Sequence, residues 1–283
     1  MTKATVTVLE GGPITFRKEL AAIWQYRHFY TFLFHEISMK RYKRTLLGAW
    51  WLVIRPLIPA IFSVVVFTSV VPMDTNGTPY PVFFFSSYAS WVLFQATLIL
   101  MPRAILWLRS LMRRTYFPKL LIPLASIGPP LLEWLVSMTC FALVVLFYRA
   151  TLGSWPIDLG WGVAMLPVAT LMALLFAIAI GIVLSVVAVF VKDVVYTAPY
   201  FVQILMLLTP ILYPIHFISE GFRWVVYVLN PMASIVEMTR WSLTGVGEPP
   251  WFYFCVSSTI ILVSLIMAIW FFVRAEPYIS DES

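Results

Sequence analysis

Charged side chains are scarce in this chain. Asp, Glu, Lys and Arg together make up 11% of its 283 residues. A soluble domain of similar length carries roughly 25% charged residues, so this composition excludes an ordinary soluble fold. Hydrophobic residues reach 61%, and the mean hydropathy is +0.90. The shortage of charge therefore predicts an integral membrane protein.

Cysteine and histidine are also rare, with two and three copies. Cys140 and Cys255 both lie in apolar stretches, without a C-x-x-C motif or clustered histidines. Such isolated thiols favour inert packing over a disulfide or a metal site. The sequence also lacks the G-x-x-x-x-G-K-[ST] motif of an ATP-binding P-loop. We therefore expect no catalytic residue, no metal and no cofactor in this chain.

Long apolar stretches dominate what the sequence does contain, and each can cross a hydrocarbon core of about 30 Å as a helix. They predict an all-α protein with six transmembrane spans, at about 50–71, 82–101, 121–147, 163–190, 196–214 and 252–273. Residues 1–45 precede this transmembrane domain of residues 46–283 and lack the apolar segment of a secretory signal. We expect them to form a cytoplasmic N-terminal segment.

The basic residues indicate the orientation of the spans. All but three of the 19 Lys and Arg lie within 1–55 and 103–119 or at Lys192 and Arg274. By the positive-inside rule, these regions face the cytoplasm, as do both termini. Topology therefore accounts for the net charge of +6, and we expect no nucleic-acid partner.

Two segments fit neither a loop nor a full span. In residues 15–37, Phe16, Leu20 and Trp24 recur at helical spacing, which predicts an amphipathic helix along the inner headgroups. This helix is either a simple membrane anchor or a docking surface for a cytoplasmic partner. The second segment, residues 215–250, is too polar to span and too apolar for an ordinary loop.

The second segment predicts short re-entrant helices between spans five and six, entering from outside. Asn230-Pro231 is typical of a helix start, with an N-cap followed by proline at the first position. The helix that follows, over 231–244, places Glu237 and Arg240 three residues apart, where they can pair.

Several short motifs occur in a characteristic order relative to the spans. They are RYKRTLLG at 41–48 leading into Trp50 and Pro56, YFPKLLIP at 116–123, Lys192-Asp193-Val194, LNPM at 229–232 followed by Glu237 and Arg240-Trp241, and Arg274-Ala275-Glu276. This arrangement resembles the permease subunits of ABC type-2 exporters, which move bacterial O-antigen, teichoic acid or capsule. One departure is Lys192, where that family leads us to expect arginine; lysine keeps the charge but loses the fork-shaped donor.

The resemblance implies a homodimer in the bacterial inner membrane that works with two copies of a separate ABC ATPase. That ATPase would bind ATP and Mg²⁺. The implied cargo is a lipid-linked polysaccharide, with O-antigen as the leading candidate, and membrane lipids are the remaining partners.

The resemblance also implies roles for particular residues. A cytoplasmic coupling helix over 103–117 would contact the ATPase, flanked by the 15–37 helix. Its contact residues would be Arg103, Trp107, Arg109, Arg113 and Arg114, with Phe16, Leu20 and Trp24 alongside. Alternatively, these arginines only enforce topology. Gating or interface roles would fall to Arg41, Tyr42, Lys43, Gly48, Lys192 and Asp193; the last two either pair locally or form a latch.

The substrate path must satisfy sugar hydroxyls, since each costs several kcal/mol when desolvated without a partner. Aromatic faces that stack on sugar rings suit such a path. The family uses its first and fifth helices at the dimer seam, and polar and aromatic residues share faces there. They are Trp51, Arg55 and Phe62 in the first span and Tyr196, Tyr200 and Gln203 in the fifth.

Some alternatives stay open at the level of sequence. Glu133, inside the third predicted span, could couple protons, line the permeation path, or be a structural partner to an arginine or a polar cluster. The whole chain could instead be an ABC type-2 exporter of a drug or small lipid. A gradient-driven transporter and a membrane glycosyltransferase are further alternatives, which the lack of repeated halves and of clustered acidic residues disfavours.

Overall fold

The computed structural model describes residues 26–42, 45–75, 77–115, 117–153, 155–157 and 160–282. These described residues form eleven α-helices and no β-strand, which confirms the all-α prediction. Phe16, Leu20, Trp24 and Lys43 lie outside the described residues.

The helices follow one another with short connections. They are α1 Arg27–Tyr42, α2 Trp51–Val65, α3 Tyr80–Trp107, α4 Arg109–Arg114, α5 Leu121–Ala125, α6 Gly128–Leu152, α7 Leu166–Phe190, α8 Asp193–Leu208, α9 Glu220–Leu229, α10 Pro231–Thr244 and α11 Trp251–Glu282. Short 3₁₀ helices at Gly48–Trp50 and Trp161–Met165 extend α2 and α7 at their starts. A π-helix at Val66–Val70 extends α2 at its end.

In the part of the chain that the structure describes, five helical segments are long and apolar enough to cross a membrane. They are Gly48–Val70, Tyr80–Trp107, Leu121–Leu152, Trp161–Phe190 and Trp251–Ile279. The fifth predicted span, 196–214, differs from the structure. There α8 has 16 residues, about 24 Å at 1.5 Å per residue, which is less than the hydrocarbon core. Thr209 precedes Pro210 and is extended, with ψ 135°, because proline disfavours a helical residue before it.

The predicted coupling helix over 103–117 also differs in extent. Residues up to Trp107 continue α3, and Leu108 interrupts the helix with φ −101° and ψ 11°. Only the six residues of α4 form a separate helix after this break. Arg103 and Trp107 therefore belong to a spanning helix.

The predicted helix over 231–244 is confirmed as α10. The Oδ1 atom of Asn230 accepts a hydrogen bond from the backbone N–H of Met232 at 3.1 Å, so Asn230 is the N-cap. Gly245 ends the helix in the left-handed region, with φ 67°. Twelve of the 14 residues of α10 are buried, so the protein itself surrounds this helix.

Helix α3 forms the centre of the bundle and packs against α6, α7 and α10. Tyr88, Trp91 and Phe94 on this helix are fully buried. Helix α7 packs through a stripe of small residues four apart, Ala169, Ala173, Ala177, Gly181 and Ser185. A Cβ at Gly181 would lie 2.5 Å from the Sδ atom of Met101, which shows how closely α3 and α7 approach.

The two ends of α3 define the two ends of the bundle. At its start, the Tyr80 hydroxyl donates to the carbonyl of Leu212 at 2.9 Å, just before α9 and α10. At its end, Lys40 of α1 donates to the carbonyl of Trp107 at 2.9 Å. We refer to these as the α10 end and the α1 end.

Candidate transport site

A cavity of about 350 Å³ lies towards the α1 end, between α1, α2, α3, α6 and α8. Its polar lining residues are Arg41, Arg55, Gln95, Arg103, Trp107 and Glu133. Pro56 of α2 and Pro199 of α8 form two of its apolar walls, so the cavity lies between these helices. We call it the arginine cavity.

Arg41 and Glu133 form an ion pair across the arginine cavity, linking α1 to α6. Both side chains are buried, with 6% and 5% of their surface exposed. A buried carboxylate without a partner is very costly, so the arginine offsets the burial of Glu133. Of the three interpretations of Glu133, pairing with an arginine is confirmed.

Arg103 and Trp107 line the arginine cavity, although the sequence suggested a surface contact with an ATPase. Arg103 is half-buried and lies near Arg55, whose like charge repels it, and near Tyr196. The described ion pairs do not include Arg103. Its charge therefore points into a space that already contains positive charge.

The residues predicted for the substrate path lie on exposed faces of α2 and α8. Tyr196 and Tyr200 are 72% and 69% exposed, and Phe62 is 70% exposed. Gln203 and Arg55 are also exposed, and Trp51 is half-buried. We call Phe62, Tyr196, Tyr200 and Gln203 the aromatic face.

At the α10 end, Glu237 and Arg240 form the ion pair that their spacing predicted. The Arg240 guanidinium stacks 3.8 Å above the Phe83 ring and donates to Ser87 Oγ at 3.1 Å and to the Pro210 carbonyl at 2.6 Å. Burial raises the pKa of Glu237, and the charge of Arg240 opposes that rise. Arg240 thus ties α10 to α3.

Among the described residues, the other predicted coupling residues, Arg109, Arg113 and Arg114, lie at the α1 end. Arg109 of α4 donates to the carbonyl of Val189, near the end of α7, at 3.1 Å. Arg114 is exposed, and Arg113 lies in the same short helix. An arginine at a helix C-terminus complements the negative end of the helix dipole, so Arg109 fixes α4 against α7.

Three of the predicted gating residues, Gly48, Lys192 and Asp193, lie at breaks between helices. Gly48 has φ +49°, a left-handed conformation that favours glycine, and starts the 3₁₀ turn before α2. Lys192 and Asp193 are exposed at the break between α7 and α8, and neither takes part in the ion pairs among the described residues. Tyr42 is the last residue of α1.

Gln95 lines the arginine cavity but was not predicted from sequence. Its Oε1 atom accepts a hydrogen bond from Trp91 Nε1 at 3.1 Å. The signal was available, because a glutamine in the middle of an apolar span needs a polar partner or water.

A helical bundle with five apolar spans among its described residues, and with buried charge at both of its ends, is typical of a multi-pass membrane protein. The sequence model of the ABC-2 type transporter family matches residues 29–244. This chain belongs to that family.

Two relatives are named O-antigen export system permease protein RfbA. The protein from Myxococcus xanthus is 27% identical over 215 residues, covering 76% of this chain and 79% of the relative. The protein from Klebsiella pneumoniae is 25% identical over 201 residues, covering 71% and 74%. Family membership makes this chain a transport subunit of the inner membrane and implies an ABC ATPase as partner.

Proposed function

We propose that this chain is the transmembrane permease of an ATP-driven exporter of a lipid-linked polysaccharide, with O-antigen as the leading candidate. The observation that carries this proposal is the likeness to O-antigen export permeases over about three quarters of the chain. This chain also belongs to the family of ABC-2 type transporters.

The aromatic face supports a homodimer with a polymer corridor at its seam. Gln203 lies on the exposed side of α8 beside two tyrosines, where lipid tails offer its amide no hydrogen bond. A second copy that covers α2 and α8 would give this amide a polar environment. Tyr196, Tyr200 and Phe62 would then line the corridor with rings that stack weakly on sugars, and weak repeated contacts let a polymer slide.

The α1 end would face the cytoplasm, as the clustered basic residues require. Two ABC ATPase chains would bind there, contacting α4 and its Arg109, Arg113 and Arg114. ATP and Mg²⁺ would be held by the ATPase chains. Lys192 and Asp193, exposed at the hinge between α7 and α8, are suited to a latch that responds to this contact.

An exporter of a small lipid is a second candidate, favoured by an apolar cavity of about 330 Å³ between α3, α7 and α8. Leu98, Ile180, Leu184, Phe201 and Leu205 line it. Its lining suits a hydrocarbon chain, which either a small lipid or the tail of a lipid-linked polymer could supply.

Deletion of the gene tests the proposal. We expect lipid-linked polysaccharide to accumulate on the cytoplasmic side of the inner membrane and surface polymer to disappear, with both reversed by the wild-type gene. The amount of lipid-linked polymer is measured by gel electrophoresis of cell extracts, and the amount of surface polymer by labelling intact cells. If surface polymer persists and only a small lipid accumulates, the second candidate is correct and the polysaccharide proposal is wrong.

A further inference from the structure

We propose that a cavity at the α10 end binds a single neutral sugar unit of the cargo. This inference rests on the proposed function, because that function makes the cargo a polysaccharide and places the α10 end outside the cytoplasm. It adds a binding site within each protomer, apart from the aromatic face that would lie at the dimer seam.

The cavity has a volume of about 260 Å³ and lies where five parts of the chain meet. These are the connection from α2 to α3, the start of α3, residues 214–216, α10, and the connection from α10 to α11. Its titratable lining residues are His216, Glu237, Arg240 and Glu248, and we call it the glutamate cavity. Its volume is that of roughly nine waters at about 30 Å³ each, which suits one sugar ring better than a stretch of polymer.

The charge of the cavity lining disfavours an anion. Arg240 is paired with Glu237, so these two charges cancel. Glu248 is exposed and takes part in none of the ion pairs among the described residues, so its negative charge remains. This charge would repel a phosphate or an acidic sugar. A metal ion is also disfavoured, because the described residues contain no group of three His, Cys, Asp or Glu that could hold one.

The polar groups of the glutamate cavity are suited to hydroxyl donors. An ionised carboxylate accepts hydrogen bonds through both of its oxygens, and its bonds with hydroxyls are stronger than those between neutral groups. Glu237 keeps 16% of its side chain exposed, although its Oε1 atom accepts from Arg240. The adjacent hydroxyls of a sugar ring can donate to Glu237 and Glu248, and the imidazole of His216 offers a further donor or acceptor.

Trp241 gives the glutamate cavity an apolar wall that is held in a fixed position. Its ring packs edge to face against Trp161 and Trp251, with ring centroids 5.1 and 5.7 Å apart. A Cβ at Gly162 would lie 3.0 Å from the same ring, so the indole has no room to turn on that side. The C–H side of a sugar ring packs well against an aromatic surface, and a surface that is already ordered lowers the entropic cost of binding.

Two glycines bring Glu248 to the cavity. Gly245 and Gly247 have φ 67° and 84°, left-handed conformations that favour glycine, and they turn the chain after α10. Arg240 donates from α10 to α3, so the helix that precedes this turn is held in place. The carboxylates and the tryptophan wall are therefore positioned within one protomer.

Photolabelling tests this site without requiring transport. The full chain, purified together with its ATPase and free of nucleotide, is placed in phosphatidylcholine nanodiscs and illuminated with methyl glucoside, galactoside or mannoside that carries a diazirine. Labelled peptides are identified by mass spectrometry. We expect label within residues 241–248 for at least one of the three sugars, and loss of this label when the same sugar without diazirine is in excess. Glu248→Ala should lower this labelling by about tenfold, because a charge-assisted hydrogen bond is lost.

Glu220→Ala is the matched control, since it removes the same side chain from an exposed position at the start of α9. Its labelling should stay within about twofold of wild type, because the exposed pair of Glu220 with Arg223 contributes little. Thermal unfolding of each variant in the same nanodiscs separates lost binding from lost folding. If Glu248→Ala is unfolded, His216→Ala takes its place, since His216 is also exposed and lines the same cavity.

Three outcomes would overturn the proposal. The first is the absence of label from residues 241–248 with all three sugars, including the case in which label appears on α2 and α8 alone. The second is equal labelling of wild type and Glu248→Ala, or an equal loss in Glu220→Ala. The third is labelling by a diazirine derivative of glucosamine, which is cationic, that is about tenfold stronger than by the neutral sugars, because the cavity would then select positive charge.

Failure of this site and failure of the proposed function are distinguishable. The gene deletion measures whether polymer accumulates in cells, whereas photolabelling measures where a sugar binds on the purified complex. Accumulated polymer together with an unlabelled cavity would reject this site alone.

Discussion

At the scale of single residues, the ion pair between Arg41 and Glu133 shows what a buried charge requires of its neighbours. Both charges are buried, and each lies on a different helix, α1 and α6. A buried pair of this kind adds little net stability over an apolar pair, but removing one partner leaves an uncompensated charge. The pair therefore fixes where α1 sits rather than how stable the bundle is.

A double-mutant cycle on this pair tests that interpretation. We expect Arg41→Leu alone to lower the free energy of unfolding by about 3–5 kcal/mol, and the double variant with Glu133→Leu to recover much of the loss. Unfolding in detergent, followed by circular dichroism, provides the measurement. Glu36→Gln is the control, because it breaks the exposed pair with Lys40 and should cost at most about 1 kcal/mol. Additive effects of the two leucine variants would contradict a direct pair.

At the scale of whole elements, α1 rests on the start of α6 through Gly128. A Cβ at this position would collide with the ring of Phe34 on α1. The glycine is needed here because the two helices approach too closely for any larger residue, and not because of its backbone conformation. This contact and the Arg41–Glu133 pair together hold α1 against the spanning helices.

Gly128→Ala should therefore destabilise the protein by about 1–3 kcal/mol, the usual cost of overpacking. In the double variant Gly128→Ala with Phe34→Ala, most of the clash should be removed, although the loss of the Phe34 ring creates a cavity. Gly221→Ala in α9 is the matched control, since nothing lies within 4 Å of its added Cβ, and alanine favours a helix by up to about 1 kcal/mol. Thermal unfolding of the four proteins gives the comparison; a Gly128→Ala protein as stable as wild type would refute the close approach.

The predicted coupling function would fall to the short helix α4. Reversing two charges with Arg109→Glu and Arg113→Glu should leave membrane insertion and ATP hydrolysis intact but lower export by about tenfold or more, because the contact with the ATPase would then repel or misalign. Polymer export in cells and ATPase rates of the purified complex are the measurements. Arg149→Glu with Arg223→Glu, at positions outside the α1 end, is the control. Normal export by the first double variant would end the coupling assignment.

The sequence predicted most elements because apolar runs and basic borders directly reflect the membrane. It placed α10 through its Asn-Pro start and foresaw the pair of Glu237 with Arg240, since both signals are local. The partner of Glu133 could not be predicted from the sequence, because Arg41 is 92 positions away and only tertiary packing brings the two residues together. The break at Leu108 and the early end of α8 were also missed, since hydropathy records how long an apolar stretch is and not where its backbone turns.

At the scale of the whole molecule, the exposed surface of α2 and α8 is the feature that the single chain leaves unexplained. Little of the α2 span is buried within the protomer, 11% compared with 89% for α3. Apolar exposure alone suits lipid, but the aromatic face adds Gln203 and tyrosine hydroxyls that do not. In the proposed dimer, a second copy would cover this face and give both groups a polar environment.

Cysteine crosslinking tests this dimer. Because the chain has two cysteines, Cys140→Ser with Cys255→Ser gives a background without thiols. In that background Phe62→Cys and Tyr200→Cys should yield dimers in membranes treated with a short bifunctional thiol reagent, seen on denaturing gels. Leu143→Cys, exposed on α6, should remain monomeric and is the control. Monomers alone from both test positions would exclude a seam at α2 and α8.

The enclosure of α3 also has a consequence for how the protein is made. Its mean hydropathy of 1.5 is the lowest of the five spans, compared with 3.0 for the segment containing α7. Yet α3 leaves the ribosome before α6, α7 and α10, the helices that later surround it. Ser86 and Ser87 donate to the carbonyls of Phe83 and Phe84 within α3 itself, at 2.7 and 3.2 Å. The backbone of α3 thus accepts the hydrogen bonds of these two hydroxyls. This lowers the cost of holding α3 in the bilayer before the surrounding helices are synthesised.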